Sequence, residues 1–229
     1  MNEETKNLFI KEINELLESR HKDIFKNYPL IRDAYKNGYD GDTEMNPLRY
    51  EITICIIFGL YQAAITLTNH MIEKYLKIAL IYKNANFEAD GKTTVEKLSN
   101  ATARSTAIYN ANDMDKNINA ACTQGIITKK DKKELNYIRN SLRNAYSHAD
   151  AFKIHGNMSI PATGAKLTDK GFELEDEDVA KIALLPMLQG IAQAKHAEAN
   201  ALPYFQFVDS LIRRTRPNIF PKDKEPINV

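Results

Sequence analysis

From Leu48 to Tyr82 the chain runs without a proline, and Ile54, Ile57, Phe58, Tyr61, Ile65, Met71, Ile72, Tyr75, Leu76 and Ala79 give apolar repeats at helical spacing. The stretch predicts one long helix over 48–82, with a short irregular start at Arg49 to Thr53. Its apolar face needs helical neighbours to cover it. Asn69, Glu73 and Lys77 form a polar line at i, i+4 and i+8 on this otherwise apolar rod. Glu73 and Lys77 can be read as an ordinary surface pair, worth a few tenths of a kcal/mol.

The neighbours are legible on both sides. Asn2 to Asn27 carries Leu8, Phe9, Ile13, Leu16, Leu17, Ile24 and Phe25 near the helical period, and Pro29 is expected to stop or bend that helix. Asp33 to Pro47 reads as a loop, and Asn84 to Lys92 as another. Thr93-x-x-Glu96 resembles a capping box that opens a helix through Tyr109. Asp113 caps a shorter helix through Thr123, which Gly125 ends, and Thr128-x-x-Asp131 opens the next one. After Phe152 the texture changes: Gly156, Pro161, Gly164 and Gly171 interrupt Lys153 to Asp176. That segment reads as a hairpin around Lys166 to Leu174 or as a loop, placed to act as a flap or merely to connect. Asp176 to Ala199 returns to helix with a kink expected at Pro186, Pro203 to Arg214 forms a last helix, and the tail Pro217 to Val229 is expected to be extended. The predicted fold is all-α: an elongated helical bundle with a short irregular or hairpin insertion. It divides into an N-terminal helix and loop (1–47), a helical core (48–152) and a flap with C-terminal helices and tail (153–229).

Composition narrows the function classes. With 43% hydrophobic and 27% charged residues the chain can bury a core, and a net charge of +1 argues against bulk polyanion binding. Cys55 and Cys122 sit among apolar or small neighbours and read as buried thiols. His21, His155 and His196 lack metal spacing, and the Tyr39-Asp40-Gly41-Asp42 loop lacks the carboxylates that calcium needs. The sequence has no P-loop, G-x-G-x-x-G, H-E-x-x-H or G-x-S-x-G. No cofactor and no metal are expected. With no leader pattern, and an apolar run over Ile52 to Leu67 that is broken by Thr53, Gln62 and Thr66, the expected compartment is the cytoplasm, without a membrane partner.

Chemistry concentrates between Asp131 and Asp150. Leu135, Ile138, Leu142, Ala145 and Ala149 make one buried stripe, and Asn140, Asn144 and His148 make a polar line beside it. Arg143 and His148 are separated by four residues. A guanidinium is a planar fork of fixed charge suited to a phosphate, and an imidazole moves a proton near neutral pH. An asparagine such as Asn144 can hold either. On an ideal helix the pair diverges by roughly 140°, so two copies of the helix across a two-fold axis are needed to bring such groups onto one ligand. From Lys129 to Arg143, six basic residues (Lys129, Lys130, Lys132, Lys133, Arg139 and Arg143) face only Asp131 and Glu134, a local +4. This is either a solvated helix face or a track for an RNA backbone. Arg213, Arg214 and Arg216 make a second basic cluster.

The segment from Gly125 to Asp150 resembles the HEPN family, whose signature is an arginine, four to six residues and a histidine, with a polar residue after the arginine. Arg143-Asn144-x-x-x-His148 matches it, as does the approach Leu135-x-x-Ile138-Arg139, and Asn69 to Lys77 is similar to the family's other core helix. The resemblance covers about residues 50–152. It implies a metal-independent endoribonuclease in which Arg143, His148 and Asn144 are catalytic, supported by Asn140, Arg139, Tyr146, Glu73 and Asn69. It also implies RNA as substrate, a homodimer with a composite site, and a setting in toxin–antitoxin or anti-phage defence with a matching antitoxin or defence partner. The match departs at Asp150, where many toxin members carry a tyrosine that a partner nucleotidyltransferase modifies, which puts that mode of control in question. Asp150 also sets a negative charge near His148, which in a partly buried site favours the imidazolium. The rival readings are a HEPN-like module that binds RNA or a nucleotide without cutting it, and a helical oligomerisation domain.

Overall fold

The computed structural model describes residues 2–40, 42–85, 95–143, 159–168, 171–181 and 186–219. In chain order these form α1 (Glu3–Lys36), α2 (Asn46–Ile57), α3 (Tyr61–Lys83), α4 (Val95–Ala111), α5 (Met114–Thr123), α6 (Lys129–Ile138) and a π-helical turn (Arg139–Arg143). A hairpin of β1 (Ser159–Thr168) and β2 (Gly171–Lys181) follows, then α7 (Pro186–Thr215) and a 3₁₀ turn (Arg216–Asn218). The core is an all-α bundle and the hairpin is the insertion. α3 is its axis and packs against α2, α4, α5, α7 and the π turn. It can do so because Ile65, Met71, Ile72, Leu76, Ala79 and Leu80 are all fully buried, a distribution too wide for a helix with only one covered side.

The long apolar stretch is two helices and not one. Gly59 adopts φ +71° between α2 and α3. The Leu60 amide reaches the Cys55 carbonyl at 2.7 Å, and the Gly59 amide reaches that of Ile56 at 3.1 Å. This pair of bonds is a Schellman stop, which satisfies the last carbonyls of α2 and turns the chain. Gly125 repeats the device after α5, with Ile126 bonded to Ala121 at 2.9 Å, and ends that helix as expected. A Cβ at Gly59 would lie 2.7 Å from Asp23 Cγ, whereas one at Gly125 meets nothing within 4 Å. Gly59→Ala is therefore expected to cost more than the roughly 1–3 kcal/mol of left-handed strain alone, and Gly125→Ala only that strain. Equal midpoint shifts in urea unfolding would contradict this.

Other expectations shift for related reasons. Pro29 does not stop the first helix, since α1 runs on to Lys36. Pro29 is exposed, so the carbonyl that loses its amide can turn to water, while buried Asn27 and Ile31 hold the turns on either side against the bundle. Pro186 opens α7 instead of kinking it, a position where its missing amide costs nothing. Pro203 lies inside α7, which merges the two C-terminal helices expected there. Asp176 to Lys181 belong to β2 and not to a helix. The hairpin is longer than expected: Ser159 pairs with Lys181 and Thr168 with Gly171, antiparallel, with an irregularity between Thr163 and Ala165. Thr93 lies outside the described residues, as do 220–229 of the tail.

Candidate functional site

The segment singled out in the sequence begins at a fastened helix start. Thr128 Oγ1 accepts from the Asp131 amide at 3.1 Å, and Asp131 Oδ2 accepts from the Thr128 amide at 2.9 Å. This is the reciprocal capping box that the sequence predicts. Both Nη atoms of Arg214 in α7 donate to the same carboxylate, at 2.9 and 3.2 Å. Burial works to raise the Asp131 carboxyl, but the hydrogen bonds from Arg214 and Thr128 together outweigh it and hold it below its ordinary value. α6 is thus tied to the end of α7 before its first turn is complete.

Leu135, Ile138 and Leu142 are buried, as the stripe requires. Beyond Ile138 the backbone leaves α geometry and widens into the π turn over Arg139–Arg143. The Ser141 hydroxyl donates to the Tyr137 carbonyl at 2.9 Å, the acceptor that an α-helix reserves for the Ser141 amide. That competition gives a local reason for the change of register. The turn packs against α3.

The candidate residues divide into three groups. Arg139 is committed to structure: its guanidinium pairs with Asp115 in the first turn of α5. Glu73 and Lys77 pair at 3.3 Å, both side chains 25% exposed, in the i, i+4 arrangement read from the sequence. Asn69 is buried and its Oδ1 accepts from the Tyr204 hydroxyl of α7 at 2.8 Å, so one end of this amide is bound to α7. Its Nδ2 has no hydrogen-bond partner among the described residues, and neither has Asn136 Oδ1 in α6. Asn140 is exposed. Arg143 closes the π turn; Asn144, Tyr146, His148 and Asp150 lie outside the described residues.

Lys129, Lys130 and Lys133 are exposed and Lys132 is half-buried. None of the four pairs with a carboxylate among the described residues. With Asp131 held by Arg214 and Arg139 held by Asp115, the solvent side of α6 is more uniformly lysine-bearing than the bare tally of charges suggests. The second basic cluster is spent on ion pairs: Arg213 on Asp209, Arg214 on Asp131 and Arg216 on Asp42 at 3.1 Å.

Sequence reasoning missed the buried ionic knot beneath this end of the bundle. Arg49 of α2, 2% exposed, donates from Nε to Asp209 of α7 at 2.6 Å, and through Nη1 to the Ala34 carbonyl of α1. The Tyr39 hydroxyl donates to Asp209 at 2.7 Å, and Arg49 and Arg213 both lie over the Tyr39 ring, at 5.1 and 5.0 Å from its centroid. Burial, and then the Asp209 charge, push the Tyr39 phenol well above its ordinary range. An arginine and an aspartate 160 residues apart carry no local signal of their pairing.

The larger clefts among the described residues open elsewhere: one of about 410 Å³ between α1 and α7, beside Asp209, and one of about 500 Å³ between α3 and α4. Neither is lined by α6 or the π turn. Among the described residues no three His, Cys, Asp or Glu side chains are grouped to hold a metal ion, and no helix is long and apolar enough to cross a membrane. No family model, no curated protein and no solved structure matches the chain.

Proposed function

We propose that this chain is a metal-independent endoribonuclease of the HEPN type. The observation that carries the reading is the π turn ending at Arg143, on the lysine-bearing helix and against the central helix of the bundle. Interruptions of this kind gather at functional sites, because they re-aim side chains at the expense of regular hydrogen bonding. In the proposed reaction the RNA 2′-oxygen attacks the adjacent phosphorus and the bond to the 5′-oxygen breaks. His148 takes or returns the proton. Arg143 stabilises the charge that grows on the phosphoryl oxygens, and Asn144 orients one or the other. The products are a 2′,3′-cyclic phosphate and a 5′-hydroxyl. Two motif helices from two chains compose one site, and the setting is toxin–antitoxin or anti-phage defence in the cytoplasm.

The test is incubation of the purified chain with mixed RNA in the presence of a chelator. Cleavage supports the reading; retention of RNA without cleavage supports a binding module; a folded protein with neither property supports a structural domain. The lysines give a separate prediction. Replacing Lys129, Lys130 and Lys133 by alanine should weaken RNA binding and reduce the slope of log affinity against log salt by about 0.7 per lysine. A slope unchanged in a salt titration would make these lysines a solvated face only.

A further inference from the structure

From Lys6 to Ser19 every side chain of α1 is exposed, on all faces of the helix. Leu8, Phe9, Ile10, Ile13, Leu16 and Leu17 are each 40–60% exposed. Together they offer apolar surface on the order of several hundred Å², at the upper end of what a soluble monomer leaves open in one patch and near what one partner buries in the smaller specific dimers. The patch continues a seam already in use. Ile10, Ile13 and Leu17 follow the three- and four-residue steps that lead on to Ile24, Asn27 and Ile31, and in that second half the seam is covered by the bundle. The same stripe is therefore packed at one end and bare at the other.

We propose that the bare half is covered by the same half of α1 from a second copy of this chain, running antiparallel. Two features choose this occupant. Phe9, Ile10, Leu16 and Leu17 stand four and three residues to either side of Ile13. A two-fold axis through Ile13 thus superposes the stripe on itself, with Ile10 opposite Leu16 of the second copy and Phe9 opposite its Leu17. The same axis sets Lys6 opposite Arg20 of the second copy at the ends of the stripe, where both charges stay in water and Arg20 is offset by its own Asp23 at 3.8 Å. A parallel partner is disfavoured by the fold: it would bring the two bundles together at the end where each α1 already packs on its own α2. The antiparallel arrangement sets the bundles at opposite ends of the paired helices, so this interface is a separate one from the contact between motif helices that the nuclease reading requires. The pairing does not depend on the nuclease reading, and its test does not use RNA.

The test is the mass of the full chain in solution by light scattering across a range of concentrations. The assembled mass should halve in Ile13→Asp and in Leu16→Glu, with the helical circular dichroism of both variants unchanged. In a Cys55→Ala, Cys122→Ala background, a Phe9→Cys chain mixed with a Leu17→Cys chain should form a disulfide-linked pair on mild oxidation, while either chain alone does so far less. A wild-type mass of one chain at every concentration overturns the proposal. So does an assembled mass unchanged by both substitutions, or Phe9→Cys chains linking to each other as readily as to Leu17→Cys chains.

Discussion

His148→Ala is expected to lower RNA cleavage by about 10²–10⁴-fold, the range that a positioned proton-transfer group supplies. Arg143→Ala is expected to lower it by about 10²–10³-fold, since the guanidinium acts on charge that exists only near the transition state. The two losses should fall mainly on kcat and should not add in the double variant, because both groups serve one step. RNA affinity should change little in His148→Ala. Circular dichroism should show the helices intact in each case, because the packing of the segment rests on Leu135, Ile138 and Leu142. Single-turnover cleavage of a defined RNA measures the effect. Wild-type rates in both variants would remove these residues from the chemistry, and helix loss in parallel with activity would make them structural.

Asp209→Ala is expected to destabilise the fold by about 3–5 kcal/mol, the cost of stranding a buried charge by removing its partner. The charge left behind is Arg49, whose side chain is 3% exposed and whose Nη2 already has no hydrogen-bond partner among the described residues. Tyr39 loses its acceptor at the same time. Replacing Arg49 and Asp209 together by Met and Leu should recover much of the loss, since an ion pair exchanged for apolar groups is often near neutral. Urea denaturation measures both. A single-variant loss no larger than that of a surface substitution would show the knot to be dispensable.

The same carboxylates set an acid limit. Burial works to raise Asp209, but the hydrogen bonds from Arg49, Tyr39 and Arg213 and the charge of Arg49 outweigh it, so its folded-state value lies below the unfolded one. Asp131 is lowered in the same sense. A carboxyl depressed on folding contributes stability that is fully present above its unfolded value, near 4, and is lost as pH falls through the lower folded value. Stability should therefore decline on the acid side of pH 4, less steeply in the variant that lacks Asp209. Burial pushes the Tyr75 phenol up to about 12, a shift with no part in the acid limit because a tyrosine is neutral there in the folded and the unfolded chain alike.

What could be read from the sequence was local. The caps at Asp113 and Thr128, the stop at Gly125 and the i, i+4 pair of Glu73 and Lys77 depend on neighbours three or four residues away, and all are found. The prolines misled because their cost is set by surroundings: Pro29 faces solvent and is carried through by packing on either side, and Pro186 sits where no amide is needed. Gly59 does not stand out in the sequence because the apolar repeat continues on both sides of it, although a glycine at this point permits the left-handed stop. The pairs Arg139 with Asp115, Arg214 with Asp131 and Arg49 with Asp209 decide which basic residues remain open to a polyanion, and each joins positions remote in sequence. The R-x4-H motif could be read as residues. Asn144 and His148 lie outside the described residues.

The most direct measurement is the chemistry of the RNA ends left by the purified chain in excess chelator. The account predicts 2′,3′-cyclic phosphates and 5′-hydroxyls, formed by the wild type and lost in His148→Ala. Ends with a 3′-hydroxyl and a 5′-phosphate, cleavage that persists without His148, or intact RNA at high protein concentration would contradict it.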